Sequence, residues 1–196
     1  MDEPGIDPDY VALLQSDRVS ARTRKVLLDR AGAPSGQSVL TPDELTILRA
    51  MIARMLPQTG PDTIDVASRL DDALARGMGD GWRNAGLPAD LDAYRAGLAA
   101  LEATPGGFTA LDAPGQDAVL RRAADGLCHA EHWTGEQMRL WFGDVLADAT
   151  KIYVAHPVTL ARMGYSGVGY GAEDPVGFTQ LEPGQREAWE PQAHAS

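Results

Sequence analysis

Apolar residues repeat at helical spacing from about residue 40 to residue 156, and this feature most constrains the fold of the chain. The best example follows Thr41, which is placed as an N-cap, with Pro42 at the first helical position and Glu44 completing a capping box. Behind this start, apolar side chains recur at intervals of three and four: Leu45, Leu48, Ile52 and Met55. Such spacing puts them on one helix face. We therefore predict a half-buried helix that ends at Pro57.

The same spacing, bounded by caps and breakers, recurs along the chain. It predicts further helices over residues 9–15, 20–31, 65–76, 88–101, 114–127 and 134–155. Thr134 and Gln137 repeat the capping-box spacing at the start of the longest of these helices. Alternation typical of strands is scarce. The predicted fold is all-α, an irregular bundle of about six or seven helices with a long non-regular C-terminal tail.

The pattern changes after Pro157, where glycine and proline are frequent and no helical period is visible. We therefore predict three segments: N-terminal helices and a linker (1–39), a helical bundle (40–156) and a tail (157–196).

Four aromatic residues are spread along the tail: Tyr165, Tyr170, Phe178 and Trp189. Leaving a large apolar side chain in water forgoes about 1.5–3 kcal/mol. The tail therefore packs on its own bundle or on a partner, and the four aromatic residues are the predicted partner-binding residues.

The net charge of the chain restricts the classes of partner that it can bind. The sequence has 17 Lys and Arg against 28 Asp and Glu, a net charge of −11. Nucleic acids and anionic lipid surfaces select clustered cations, so both are disfavoured as partners. No apolar run reaches the ~18–20 residues of a membrane helix. The start of the sequence lacks the order of a signal peptide, and the single Cys128 forms no internal disulfide. We expect a cytoplasmic location.

The densest group of metal-ligand side chains is Cys128-His129-Ala130-Glu131-His132. On a helix, Cys128, Glu131 and His132 would share one face and could bind zinc. The spacing differs from that of HExxH and HxxEH sites. The simpler interpretation is a helix end at which the histidines complement the helix dipole and the cysteine packs as a small apolar group.

Other candidate sites are weaker. The glycine-rich segment 164–171 lacks the preceding strand and following helix of a phosphate-binding loop. Asp71 and Asp72, like Asp90 and Asp92, are interpreted as solvated acidic residues near helix starts. We therefore predict no catalytic, cofactor-binding or metal-binding residue in this chain.

Several motifs, in order, resemble the gluconate 2-dehydrogenase subunit 3 family. The first is Leu40-Thr-Pro-Asp-Glu-Leu45 with its Met55-Leu56-Pro57 stop. The second is Tyr94-Arg-Ala-Gly97-Leu98, followed by Gly107-Phe108-Thr-Ala-Leu111 and Gln116. The third runs from Trp141-Phe142 to His156-Pro157 and on to Gly164-Tyr165, Gly169, Gly171 and Gly177-Phe178. Together these motifs extend over about residues 40 to 190.

The resemblance implies a small helical subunit that accompanies an FAD-dependent dehydrogenase of the glucose–methanol–choline type. In that family FAD and the catalytic histidine belong to the large subunit, so this chain would be a non-catalytic partner, in the simplest case in a one-to-one heterodimer. The large subunit would oxidise a sugar or glycoside hydroxyl to a ketone, as a glycoside 3-dehydrogenase does. Two alternatives remain: a small helical metal-dependent enzyme that uses the Cys128–His132 cluster, and a free-standing helical binding module.

Overall fold

The structure is a computed structural model that describes residues 5–59, 63–77, 84–170 and 178–191. Within these ranges the protein is all-helical, without a strand, which confirms the predicted fold class. The helices are α1 (Pro8–Gln15), α2 (Ala21–Ala31), α3 (Pro42–Met55), α4 (Val66–Ala75), α5 (Asp90–Glu102), α6 (Ala113–Ala124), α7 (Gly135–Val154) and α8 (Pro157–Arg162). Two short 3-10 turns cover Phe108–Ala110 and Gly167–Tyr170.

Both predicted capping boxes are present. At the start of α3, the Thr41 hydroxyl accepts from the Glu44 N–H at 3.2 Å, and the Glu44 carboxylate accepts from the Thr41 N–H at 2.7 Å. At the start of α7, Thr134 and Gln137 exchange the same two bonds at 3.2 and 3.0 Å. Each box satisfies two backbone donors that have no partner within the helix, which fixes where these two helices begin.

Helix α8 was not predicted, because Pro157 was interpreted as the end of α7. Proline is also favoured at the first helical position, where its missing N–H costs nothing. Here the imidazole Nδ1 of His156 accepts from the Val158 N–H at 3.3 Å and caps α8. Gly164, at a φ of +60°, ends the helix, and the Tyr165 N–H donates to the Leu160 carbonyl at 2.9 Å. The described residues beyond Tyr165 are irregular apart from the second 3-10 turn, as predicted.

Contacts within the chain divide it into two compact units. The terminal unit comprises Met1–Ala33, Thr59–Thr63 and Tyr153–Ser196, and the central unit comprises Pro34–Gln58 and Ile64–Ile152. In the terminal unit α2 packs on α8, and α1 contacts the Gly167–Tyr170 turn. In the central unit α3 packs against α4, α5 and α6. The division of the chain at residues 39 and 156 stays a prediction from sequence pattern.

The core of the central unit is built around Trp141 of α7, which is fully buried. Its indole lies against the backbone of Gly97 in α5, so closely that a Cβ at Gly97 would be 2.3 Å from Cδ2 of the ring. The ring of Tyr94 meets it edge-on, with centroids 6.3 Å apart. The edge of one aromatic ring is attracted to the face of another, so this geometry adds to the apolar burial. Gly97 is therefore the position that lets α5 and α7 approach at this point.

The two adjacent carboxylates of α4 are buried, and this corrects the interpretation of Asp71 and Asp72 as solvated residues. Asp71 is 2% exposed and accepts from the N–H groups of Val39 and Leu40, both at 3.0 Å. Asp72 is 4% exposed, accepts from the Ser35 N–H at 3.0 Å and pairs with Arg76 at 2.6 Å. Buried carboxylates need such partners. The pair therefore attaches the segment before α3 to α4.

Candidate functional site

Trp189, in the terminal unit, is contacted by one other aromatic side chain of the tail, Phe178, and by the cation Arg18. The ring of Phe178 lies 5.3 Å from the Trp189 ring, between centroids, and the guanidinium carbon of Arg18 lies 4.2 Å above the Trp189 ring centroid. On another side, a Cβ at Gly169 would come within 2.8 Å of Trp189 Cζ3, so the backbone of the 3-10 turn touches the indole. A cation over a tryptophan face is worth about 0.5–1 kcal/mol at an exposed site.

Hydrogen bonds to Arg186 and Glu187 hold the segment 178–191 in place. Arg186 donates to the carbonyls of Gly164 and Pro191 at 2.6 and 2.7 Å. The carboxylate of Glu187 accepts from the N–H groups of Thr179 and Gln180. These contacts, of which the Arg186–Gly164 bond joins the most distant residues, order a stretch that has no helix of its own.

Other apolar side chains of the terminal unit face solvent. Leu181 is 82% exposed, Tyr165 48% and Met163 47%. The Tyr165 ring folds over Gly167, where a Cβ would come within 2.5 Å of the Tyr165 hydroxyl. Contiguous apolar patches mark interaction surfaces, whereas single exposed apolar side chains occur on any protein surface.

The structure thus brings together two of the four predicted partner-binding residues, Phe178 and Trp189, and covers them partly with the chain itself. Tyr165 is exposed and lies apart from that pair. The side chain of Tyr170 falls outside the part of the chain that the structure describes. Partner binding by these four residues stays a prediction. The sequence did not identify Arg18 and Arg186 as residues that hold the tail in place, because a contact with a residue far along the chain leaves no local pattern.

Glu187 makes the order of the tail depend on pH. Hydrogen bonds from the backbone N–H groups of Gln180 and Thr179 hold the pKa of this carboxyl below its ordinary value of about 4.3. A lowered folded-state pKa contributes stability above the unfolded pKa, and this stability is lost as the pH falls through the folded pKa. In an NMR titration we expect the Gln180 amide proton to report a pKa below 4.3. Titration at or above 4.3, or an unchanged profile in Glu187→Gln, would contradict this assignment.

The segment that carries the candidate zinc ligands is not helical. After α6 ends, residues 125–134 form turns with one isolated bridge between Ala130 and Trp133. Cys128 is buried, with its thiol near the Val119 carbonyl at 3.7 Å, whereas the side chains of Glu131 and His132 are 90% and 91% exposed. Within the described ranges no three His, Cys, Asp or Glu side chains are arranged to hold a metal ion. The shared face that the zinc hypothesis requires is absent from this segment.

Burial raises the pKa of the Cys128 thiol, which keeps it protonated and unreactive at neutral pH. We expect Cys128→Ser to lose no more than about 2 kcal/mol of stability, as for a small buried group. A chelator should leave the melting temperature unchanged, because a structural metal would contribute folding free energy directly. Thermal denaturation of the wild type and of Cys128→Ser, with and without chelator, checks both expectations. A large drop in the melting temperature caused by the chelator would restore the metal hypothesis.

The central unit contains a pocket of about 360 Å³ beside α4, the start of α5 and α7. Its wall is largely apolar, with Leu70, Leu87 and Trp141 among the lining residues. The Tyr94 hydroxyl donates to the Asp148 carboxylate at 3.1 Å, and burial, reinforced by that carboxylate, raises the pKa of Tyr94 well above its ordinary value. Tyr94 therefore stays protonated at neutral pH. Its hydrogen bond to Asp148 joins α5 to α7.

None of the helices in the described ranges is both long enough and apolar enough to span a membrane. Comparison with known proteins gave no matching curated protein and no matching solved structure. One family model matches, gluconate 2-dehydrogenase subunit 3, over residues 42–171. That range begins with α3 and takes in Tyr94, Gly97 and Trp141, and it is more than half of the chain. The chain belongs to the gluconate 2-dehydrogenase subunit 3 family.

Proposed function

We propose that this protein is the non-catalytic small subunit of an FAD-dependent sugar or glycoside dehydrogenase. It binds and stabilises a flavoprotein large subunit of the glucose–methanol–choline type, which oxidises a sugar hydroxyl to a ketone. FAD belongs to that large subunit. The observation that carries the proposal is the family match over residues 42–171, which contains most of the central unit and α8.

The arrangement of the terminal unit supports a role in binding. Arg186 and Glu187 order the segment 178–191, and this order holds Leu181 in solvent rather than in the core. A folded surface that already displays apolar groups loses little conformational freedom when a partner covers it. We propose that Leu181 and Tyr165 contact the large subunit directly. Phe178 and Trp189 support them by fixing the path of the tail.

The test is co-expression with an FAD-binding protein of the glucose–methanol–choline type from the same genome, with an affinity tag on this chain. A chain that stops after Tyr170 keeps α1 to α8, the helices of the described ranges, and lacks Phe178, Leu181 and Trp189. We expect this truncated chain to remain helical by circular dichroism and to retain little flavoprotein in a pull-down. The double variant Leu181→Ser/Tyr165→Ser should also weaken the complex, because it removes two apolar contacts of the proposed interface. It should fold like the wild type, because both side chains are exposed.

Leu127→Ser is the matched control, because Leu127 is 58% exposed but belongs to the central unit. It should bind the flavoprotein like the wild type. If the truncated chain binds at full strength, the tail is dispensable and the contact lies elsewhere. If wild-type chain and flavoprotein do not associate at all, the proposed function is wrong.

A further inference from the structure

Positive charge is concentrated in one short stretch of this acidic protein. Residues 18–30 hold five of the 17 Lys and Arg and one carboxylate, Asp29, which gives this stretch a net charge of +4 in a chain of −11. The stretch contains most of α2 and lies outside the range that matches the family model. A local excess of one sign steers association with a surface of the opposite sign.

Arg18 and Arg24 are used within the terminal unit. Arg18 covers Trp189, as described above. Arg24 donates to the carbonyls of Leu14, Ser16 and Val19 at 2.5, 2.8 and 3.1 Å. Together with the buried side chain of Leu27, these bonds fix α2 in one orientation. The rest of the helix is therefore presented to solvent as an ordered face.

That outward face combines cations with an apolar group. Arg22 and Lys25 are exposed, and Val26 is 41% exposed. Arg22 makes no ion pair with any residue that the structure describes. Lys25 pairs with Asp29 at 2.6 Å, but both side chains are more than 60% exposed, so water weakens the pair. Arg22 and Lys25 are thus available to a partner at little cost.

We propose that the outward face of α2, formed by Arg22, Lys25 and Val26, docks on an acidic surface of the flavoprotein large subunit. This inference rests on the proposed function and assigns a second contact besides the tail. A second copy of this chain would bring two charges of −11 together, which opposes close association. An anionic membrane extends beyond the contact and would also meet the rest of this chain, whose net charge of −11 opposes binding.

The experiment compares the wild-type chain with Arg22→Glu/Lys25→Glu in binding to the purified flavoprotein, at low and at high salt. We expect the double variant to bind at least tenfold more weakly at about 0.1 M salt, where the Debye length is about 10 Å, with a smaller difference at 1 M salt. The melting temperature and circular dichroism should not change, because neither side chain holds α2 in place.

Arg139→Glu is the matched control, since Arg139 is a half-exposed cation of the central unit. It should bind like the wild type. Equal binding by wild type and double variant overturns the α2 contact while leaving the proposed function standing; failure of the wild type to bind overturns both. Binding of the wild type to vesicles of anionic phospholipid, lost in the double variant while the flavoprotein complex is kept, would assign the face to a lipid surface and overturn the proposal.

Discussion

Gly97→Ala is expected to destabilise the protein by about 3 kcal/mol or more, or to prevent folding of the central unit, which is the upper range for overpacking a core. A methyl group at this position would sit 2.3–2.7 Å from three atoms of the Trp141 ring. The indole is fully buried and packs edge-on against Tyr94, so a shift of the ring would disturb that contact. Alanine is the better helix former by roughly 0.8–1.0 kcal/mol, so intrinsic propensity alone predicts the opposite sign.

Gly143→Ala separates the effect of helix propensity from the effect of overpacking against Trp141. Gly143 is an exposed position in α7, and a Cβ there would meet nothing within 4 Å. We expect this variant to gain up to about 1 kcal/mol from helix propensity. Chemical denaturation of both variants gives the comparison. If Gly97→Ala is as stable as Gly143→Ala, the close packing of α5 against Trp141 is wrong.

Asp71→Ala is expected to cost about 2–4 kcal/mol, because it leaves the N–H groups of Val39 and Leu40 without an acceptor, at about 1–3 kcal/mol for each unsatisfied buried group. Those bonds hold the segment that leads into the Thr41 cap, so the start of α3 should loosen as well. Urea denaturation measures the loss of stability. Hydrogen exchange at Leu40 measures the local opening.

Asp71→Asn keeps an oxygen that can accept from both N–H groups, so it should restore much of the lost stability. Asp92→Ala is the control, because Asp92 is an exposed acidic residue in the first turn of α5 and contributes less than about 1 kcal/mol through the helix dipole. A loss in Asp71→Ala no larger than that in Asp92→Ala would contradict the anchoring role of Asp71.

The helical fold could be predicted from sequence because its determinants are local. The Thr41 and Thr134 caps fix two helix starts within three residues of themselves, and the spacing of apolar side chains marks the buried faces. Helix α8 was missed because a proline such as Pro157 is common both just after the end of one helix and at the first position of the next. The His156 cap that decides between them is a matter of side-chain geometry.

The candidate site depends on contacts that join distant parts of the chain. Tryptophan at position 189 predicts burial against something, but nothing near it in the sequence identifies Arg18 as the side chain above its ring. In the same way, Asp71 resembles a solvated residue until its hydrogen bonds to Val39 and Leu40, more than 30 residues away, are seen. The cation cluster of residues 18–30 was visible in the sequence, but only the fold distinguishes the cations used internally from those that face solvent.

The most direct measurement of the central claim is the flavin content and mass of this chain, purified alone and purified after co-expression with an FAD-binding protein of the glucose–methanol–choline type from the same genome. An accessory subunit is expected to be colourless and inactive alone, and to elute with the flavoprotein as one complex that carries flavin and oxidises a sugar or glycoside. The flavoprotein should also be more stable in that complex than alone, because a partner that binds only the folded state stabilises it. Flavin bound to the chain purified alone, or a flavoprotein that neither binds this chain nor gains stability from it, would contradict the account.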